Sequence, residues 1–237
     1  EIPWSDWSSD VCSSDLVAYP FFISAICGNL GPFNPDSMLI RIYPENPNEK
    51  AIAQVVDILR RDGVIVYPTD SVYAFGCSLH STRAIERIRT LTGKQGDDFS
   101  IICHDLSGIA AYARVDTPTF KLMKRNLPGP FTFLLSASNK VPDKFLDRKK
   151  TVGVRIPANG IPLAIVEALG NPLVTASVKT PGPETEYTTD PSLIYERYGD
   201  RVDMVVDGGY GNAEPSTIVD CTGDEPEIIR EGIGELI

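Results

Sequence analysis

Small hydroxyl side chains recur beside two arginines at the margins of apolar runs: Thr69, Thr175, Ser177, Ser216 and Thr217, with Arg155 and Arg230. A hydroxyl both donates and accepts at short range, and a guanidinium grips carboxylate or phosphate through paired, charge-assisted hydrogen bonds. Together they would floor a polar cleft for a ligand carrying one of those anions. Singly, each has an ordinary structural use, since hydroxyls close turns and a strand arginine commonly lies half-exposed. The stretch VIVYPTDSVYAFG, Val64 to Gly76, poses the choice most sharply. Val64 to Tyr67 is an apolar run after Gly63 and reads as a buried strand. Pro68, Thr69, Asp70 and Ser71 then form either a plain turn or a binding edge, because α/β sheets tend to take ligands just beyond the carboxyl ends of their strands.

Other chemistries find less support. Beyond Met38 the cysteines are Cys77, Cys103 and Cys221, with no Cys-x-x-Cys pair, and His80 and His104 are the only histidines. A disulfide framework, a zinc site or a His-rich metal cage is therefore not expected, and the pattern suits a reducing, cytoplasmic setting. Cys103 and His104 are neighbours, but adjacent strand residues point to opposite faces, so Cys103 and Cys77 read as core packing. No apolar run approaches the roughly 20 residues a membrane-spanning helix needs, so no membrane association is expected.

The elements that must position these residues alternate along the chain. MLIRIYP reads as a strand, and Ile52, Val55, Val56 and Leu59 mark one face of a helix ending at Gly63. After the opening stretch, Ser81 is placed to cap a second helix with Ile85, Ile88 and Leu91 inward. Strand FSIICHD, helices LSGIAAYA and TPTFKLMKRNL, strands at Phe131–Leu135 and TVGVRIP, helix IPLAIVEALG and strand NPLVTAS follow. A Pro/Gly/Thr-rich loop, a short helix near Ser192–Tyr198 and strands VDMVVDGG, PSTIVDC and PEIIREG complete the chain. The alternation predicts one α/β domain over residues 38–237, built on a large, twisted mixed sheet.

Residues 1–37 differ from the rest. They hold Trp4 and Trp7, no Lys or Arg, and the stuttering SDWSSDVCSSDL, with neither helical nor strand period. They read as a non-native or disordered leader. They also carry five acids, so the formal charge of −10 becomes 27 acids against 22 bases from Met38 onward. Such a balance argues against general nucleic-acid binding and makes any anion site local. Lys144, Arg148, Lys149 and Lys150 form one basic stripe, which is either a solvated surface loop or a place for RNA.

The blocks VYPTDSVYAFGC, LPGPFTFLL, TVGVRIP, PLVTASVKTPG, PSTIVD and IIREGIG stand in the order found in the YrdC-like threonylcarbamoyl-adenylate synthases, and the chain from Met38 resembles that family. The opening strand and PxNP helix resemble its YciO branch. The resemblance implies an open α/β fold with a concave, ligand-binding face, and a reaction in which threonine and bicarbonate form a carbamate that attacks the α-phosphorus of ATP, giving threonylcarbamoyl-AMP and pyrophosphate for a tRNA modification. ATP and Mg2+ are the implied nucleotide substrate and its metal, with tRNA-modification proteins or double-stranded RNA as further partners. By position, Thr69, Arg155, Thr175 and Ser216 would surround threonine, and Lys94, Thr151, Ser177, Thr185 and Arg230 the nucleotide, with Lys94 and Lys179 acting in catalysis.

Two departures stand beside the matches. Where the family usually has Lys-x-Arg, this chain has Thr92-Gly93-Lys94, and where it usually has Ser-x-Asn, this chain has Ser177-Val178-Lys179. Phosphoryl transfer relies on fixed cations, so losing one well-placed donor typically costs on the order of 10²-fold to 10³-fold in rate. Lys179 adds a cation where an amide usually stands and would restore part of the charge missing at Thr92. The alternative is a YciO-type paralogue whose altered loops bind nucleotide or double-stranded RNA, or process an acyl-adenylate.

Overall fold

The computed structural model describes residues 38–93, 99–142, 145–146, 150–178 and 186–237. The leader, Lys94, Lys144, Arg148, Lys149, Lys179 and Thr185 lie outside them. The elements are β1 (Met38–Arg41), α1 (Glu49–Arg60), β2 (Ile65–Tyr67), β3 (Ala74–Ser78), α2 (Thr82–Thr92), β4 (Ser100–Ile102), α3 (Leu106–Tyr112), α4 (Thr117–Asn126) and β5 (Phe131–Ser136). There follow β6 (Thr151–Arg155), α5 (Gly160–Leu169), β7 (Leu173–Ser177), α6 (Glu186–Thr189), α7 (Pro191–Tyr198), β8 (Met204–Asp207), β9 (Thr217–Asp220) and β10 (Glu227–Arg230). Ten strands form one mixed sheet in the order β1-β8-β2-β3-β7-β4-β6-β5-β9-β10. This is the mixed α/β architecture expected from the sequence.

Helices α1 to α5 and α7 begin where a side chain satisfies their open amide groups. Asn48 accepts from Lys50 and Ala51 at the start of α1, and Ser81 accepts from Ala84 at the start of α2, as its position predicts. The end of α1 differs from expectation: Asp62, not Gly63, takes the positive φ of 61°. Gly63 is needed for close approach, because a Cβ there would lie 2.6 Å from the Ile58 carbonyl oxygen.

Strand β3 is an element that periodicity did not reveal. All five of its residues are buried, so the polar alternation that betrays a half-exposed strand is absent. It runs antiparallel to β2, with Ile65 opposite Gly76 and Tyr67 opposite Ala74, so the Pro68–Tyr73 stretch is the hairpin's loop.

The sheet carries two cores. On one face α2, α3, α4 and α7 cover Val66, Phe75, Ile101, Phe133, Val154 and Val219. On the other, Ile52, Val55, Val56 and Leu59 of α1 join Ile161, Ile165 and Leu169 of α5 over Ile65, Tyr67, Leu173 and Met204. Burying each such side chain stabilises by about 1.5–3 kcal/mol. On this second face the core stops at Ile102 of β4, and among the described residues no helix extends it over β6, β5 or β9. What the strands display there is mostly small and polar, with Leu134 and Ile218 among the hydroxyls.

Candidate functional site

The β2–β3 loop shows how a turn sequence becomes a site. The Thr69 hydroxyl donates to the Val72 carbonyl at 2.7 Å and accepts from the Ser71 amide at 3.1 Å, closing the loop on itself. Its oxygen also lies 3.1 Å from that of the Ser71 hydroxyl. Thr69 is thus committed to its own turn, and Asp70 and Ser71 are what the turn presents. Arg155 Nη2 donates to Asp70 Oδ1 at 2.9 Å and to Ser71 Oγ at 3.0 Å. Asp70 Oδ2 accepts from the Ala158 amide at 2.9 Å. Both charged side chains are buried, 4% and 7% exposed, so this is an ion pair without solvent screening. The Arg155 Nε–H is buried without a partner among the described residues.

Arg155 ends β6, which runs in the opposite sense to β2 and lies four places from it. Neighbouring strands rotate by roughly 20–25°, so four steps accumulate to about 90°, which lets the β2 loop meet the end of β6 across the face.

Register defines the rest of the floor. Thr175 of β7 pairs with Gly76 of β3 on one side and Ser100 of β4 on the other, and Ser100 pairs with Gly153 of β6. Paired residues share a face, as do residues two apart, so Thr175, Ser177, Ser100, Thr151, Gly153 and Arg155 all belong to the face that α1 and α5 cover only in part. Gly153 is a narrow gap in this row: a Cβ there would lie 2.6 Å from Ser100 Oγ and 3.2 Å from Thr132 Cγ2. The Tyr67 hydroxyl donates to Thr175 Oγ1 at 2.8 Å. Its ring crosses Gly76, where a Cβ would come within 2.5 Å of Cε1. Burial raises the Tyr67 phenol far above its ordinary pKa, which keeps it a neutral donor.

At the far side of the floor the hydroxyls of Thr132 and Ser216 lie 2.9 Å apart, both buried. Arg230 Nη2 donates to the Ser216 carbonyl at 2.6 Å and Nε at 3.2 Å. The β9–β10 register shifts between Ile228 and Arg230, a bulge that turns Arg230 onto this face. Thr217 faces the opposite way, donating to the Gly234 carbonyl at 2.6 Å.

A family model described as Sua5/yciO/yrdC, telomere recombination, matches residues 57–232. The chain belongs to the Sua5/YciO/YrdC family. The uncharacterised E. coli (strain K12) protein YciO is 43% identical over 203 residues, spanning 84% of this chain and 98% of its own length. The crystal structure of E. coli YciO superposes with a TM-score of 0.80, covering 84% of this chain and 97% of that one. A threonylcarbamoyl-AMP synthase of Thiobacillus denitrificans is 33% identical over 165 residues, spanning 68% of this chain and 86% of its own. Sua5 of P. abyssi complexed with L-threonine has a TM-score of 0.71 at 25% identity, with 83% of this chain matching 57% of that one.

Within this Sua5/YciO/YrdC domain, Arg155, Thr175, Ser177 and Thr151 share the floor, and Ser216 and Arg230 meet beside it. The residues do not all sit at carboxyl ends. Thr175 is mid-strand, Thr151 opens β6, and Ser216 precedes β9. Strands of both senses meet in this sheet, so the polar surface lies on a face rather than along one edge. Ser100, Thr132, Gly153 and Tyr67 escaped the sequence reading as site residues, whereas Ser71 stood in it as part of the turn or binding edge. Alternation within β6, where Thr151, Gly153 and Arg155 recur every second residue, is the signal that finds Gly153. The Thr92 hydroxyl donates to the Ile88 carbonyl at 2.8 Å, inside its own helix. Cys77 and Cys103 are buried, and burial pushes the Cys103 thiol up to about 12, which leaves it protonated and inert near neutrality.

Proposed function

We propose that the floor binds L-threonine and an adenine nucleotide side by side and carries out the threonylcarbamoyl-AMP synthase reaction. The observation behind this reading is the single polar face on which Arg155, Thr175, Ser177 and Thr151 lie together, with Ser216 and Arg230 at its side. The threonine carboxylate takes the end held by Arg155, whose Nε–H is the unused buried donor. The Thr175 hydroxyl, oriented by the Tyr67 donor, meets the threonine side chain or amine. Thr151, Ser177 and Arg230 serve the nucleotide, with Lys94, Lys179 and Thr185 completing its phosphate end.

In this reaction the threonine amine adds to bicarbonate with loss of water. A carbamate oxygen then bonds to the α-phosphorus of ATP, and the bond from that phosphorus to the bridging oxygen of pyrophosphate breaks. Mg2+ enters as part of the nucleotide substrate, neutralising the triphosphate. The test is pyrophosphate release from Mg-ATP: the reading requires release that depends on both threonine and bicarbonate.

A second reading has its own observation. Thr92 stands where the resemblance implies a cation, and its hydroxyl is spent on the Ile88 carbonyl. That favours a protein that keeps the pocket but binds nucleotide, or an acyl-adenylate, without making the product. Nucleotide binding without pyrophosphate release supports this second reading. Binding of double-stranded RNA that weakens steeply with salt would move the function to RNA.

A further inference from the structure

The loop between β8 and β9 crosses the β2–β3 turn, and its backbone is fitted to it. A Cβ on Gly208 would lie 2.5 Å from Pro68 Cγ, and one on Gly211 would lie 2.7 Å from Tyr73 Cδ2. Between these two glycines the loop is anchored by the Tyr73 hydroxyl, which donates to the Gly209 carbonyl at 2.7 Å and accepts from the Gly208 amide at 3.1 Å. Asn212 then makes two bonds to the turn: its amide N–H donates to the Ser71 carbonyl at 3.1 Å and its Nδ2 to the Asp70 carbonyl at 2.9 Å. Asp70 and Ser71 are the two residues whose side chains receive Arg155 Nη2. The path from Asn212 to the guanidinium therefore runs through one turn and no other element.

We propose that Asn212 is a positioning residue for Arg155, fixing the Asp70–Ser71 peptide so that the guanidinium points its unused Nε–H at the ligand's carboxylate. This rests on the threonine-binding reading for its ligand, though not for its geometry. The Asn212 side chain is exposed, so altering it opens no core cavity and folding is spared. Asn212→Ala removes the Nδ2 donor and keeps the backbone bond. Asn212→Asp keeps the shape and sets a carboxylate oxygen against the Asp70 carbonyl, where a donor stood. A role in packing alone predicts that the isosteric Asp is the milder change, whereas a hydrogen-bond role predicts that it is the worse.

The experiment uses the full chain and two readouts. L-threonine affinity by calorimetry is expected to fall about threefold to tenfold in N212A, the range for one lost hydrogen bond, and further in N212D. The melting midpoint of both variants stays near that of the wild type. Hydrogen exchange across residues 69–73, with the Arg155 Nε–H signal read by NMR and assigned through R155K, is expected to quicken and shift in N212D. If the wild type binds no threonine but this second readout still changes, the positioning inference stands and the threonine reading falls. If the wild type and both variants bind threonine alike, with exchange at the turn unchanged, the inference is overturned while the threonine reading survives.

Discussion

Asp70→Asn removes the negative member of the buried pair with Arg155 while keeping the side chain's size. In the native turn both carboxylate oxygens accept, one from Arg155 Nη2 at 2.9 Å and one from the Ala158 amide at 2.9 Å. An amide offers one accepting oxygen, so its NH2 must face one of these two donors. With side chains only 4% and 7% exposed, water cannot relieve the conflict, and the guanidinium is left without a counter-charge. Breaking such a pair costs about 3–5 kcal/mol. We take the lower end, about 3 kcal/mol, because one acceptor survives. At roughly 2–4 °C per kcal/mol for a domain of this size, the melting midpoint should fall by about 6–12 °C. Calorimetric melts at low and high salt are the assay, and the drop should be nearly the same in both, since a buried pair is little screened. The double variant Asp70→Asn with Arg155→Met should be more stable than Asp70→Asn alone, because it removes the orphaned charge. An Asp70→Asn protein that melts with the wild type, or a deficit that vanishes in salt, refutes the argument that this pair is buried and binding.

Three further outcomes follow from the floor and its supports. Thr175→Val leaves the fully buried Tyr67 hydroxyl without its acceptor and should cost about 1–3 kcal/mol, and the double variant with Tyr67→Phe should cost less than the two single losses added, as chemical denaturation will show. Gly76→Ala drives a methyl to 2.5 Å from the buried Tyr67 ring and should cost about 1–3 kcal/mol or more, measured by the urea midpoint, while a midpoint equal to the wild type would mean the ring can move aside. Burial raises the thiols of Cys103 to about 12 and Cys221 to about 11, against 9.0 when exposed, and raises Cys77 further. Above about pH 9 the unfolded chain then loses protons that the folded protein keeps, so stability present below that pH should fall as pH rises towards 12, and a urea midpoint that stays level to pH 11 would contradict it.

Much of the architecture can be read before any fold is known, and the exceptions share a cause. Helix α1 announces itself by Ile52, Val55, Val56 and Leu59, which share one face, and α2 by Ser81 at its cap. These signals are local. Strand β3 is silent because a strand buried on both faces carries no alternation, and Gly76, which looks like a turn residue, is there to let the Tyr67 ring pass. Hydroxyls at Thr175, Ser177 and Ser216 could be singled out as a group, yet Ser100 and Thr132 join them only through pairing with distant strands. Thr217 shows the converse: one residue beyond Ser216, the pleat sends it to the other face. Which hydroxyl belongs to a floor is a property of register, and register is set between segments rather than within them.

The place of β8 in the sheet has a consequence for how the chain reaches its fold. β8 begins at Met204 and lies between β1 and β2, pairing in parallel with both. Until that residue emerges during synthesis, β2 has a partner on one side only, and β1 has none in the sheet. The hairpin loop that carries Asp70 and Ser71 also lacks the crossing segment from Gly208 to Asn212. Long-range parallel pairings close large loops before they gain contacts, so folding should be slow and completed late, with an open strand edge exposed meanwhile. A nascent chain stalled after β7 would display β2 as a sticky template, so chaperone demand should peak before β8 emerges and fall once β8 is inserted.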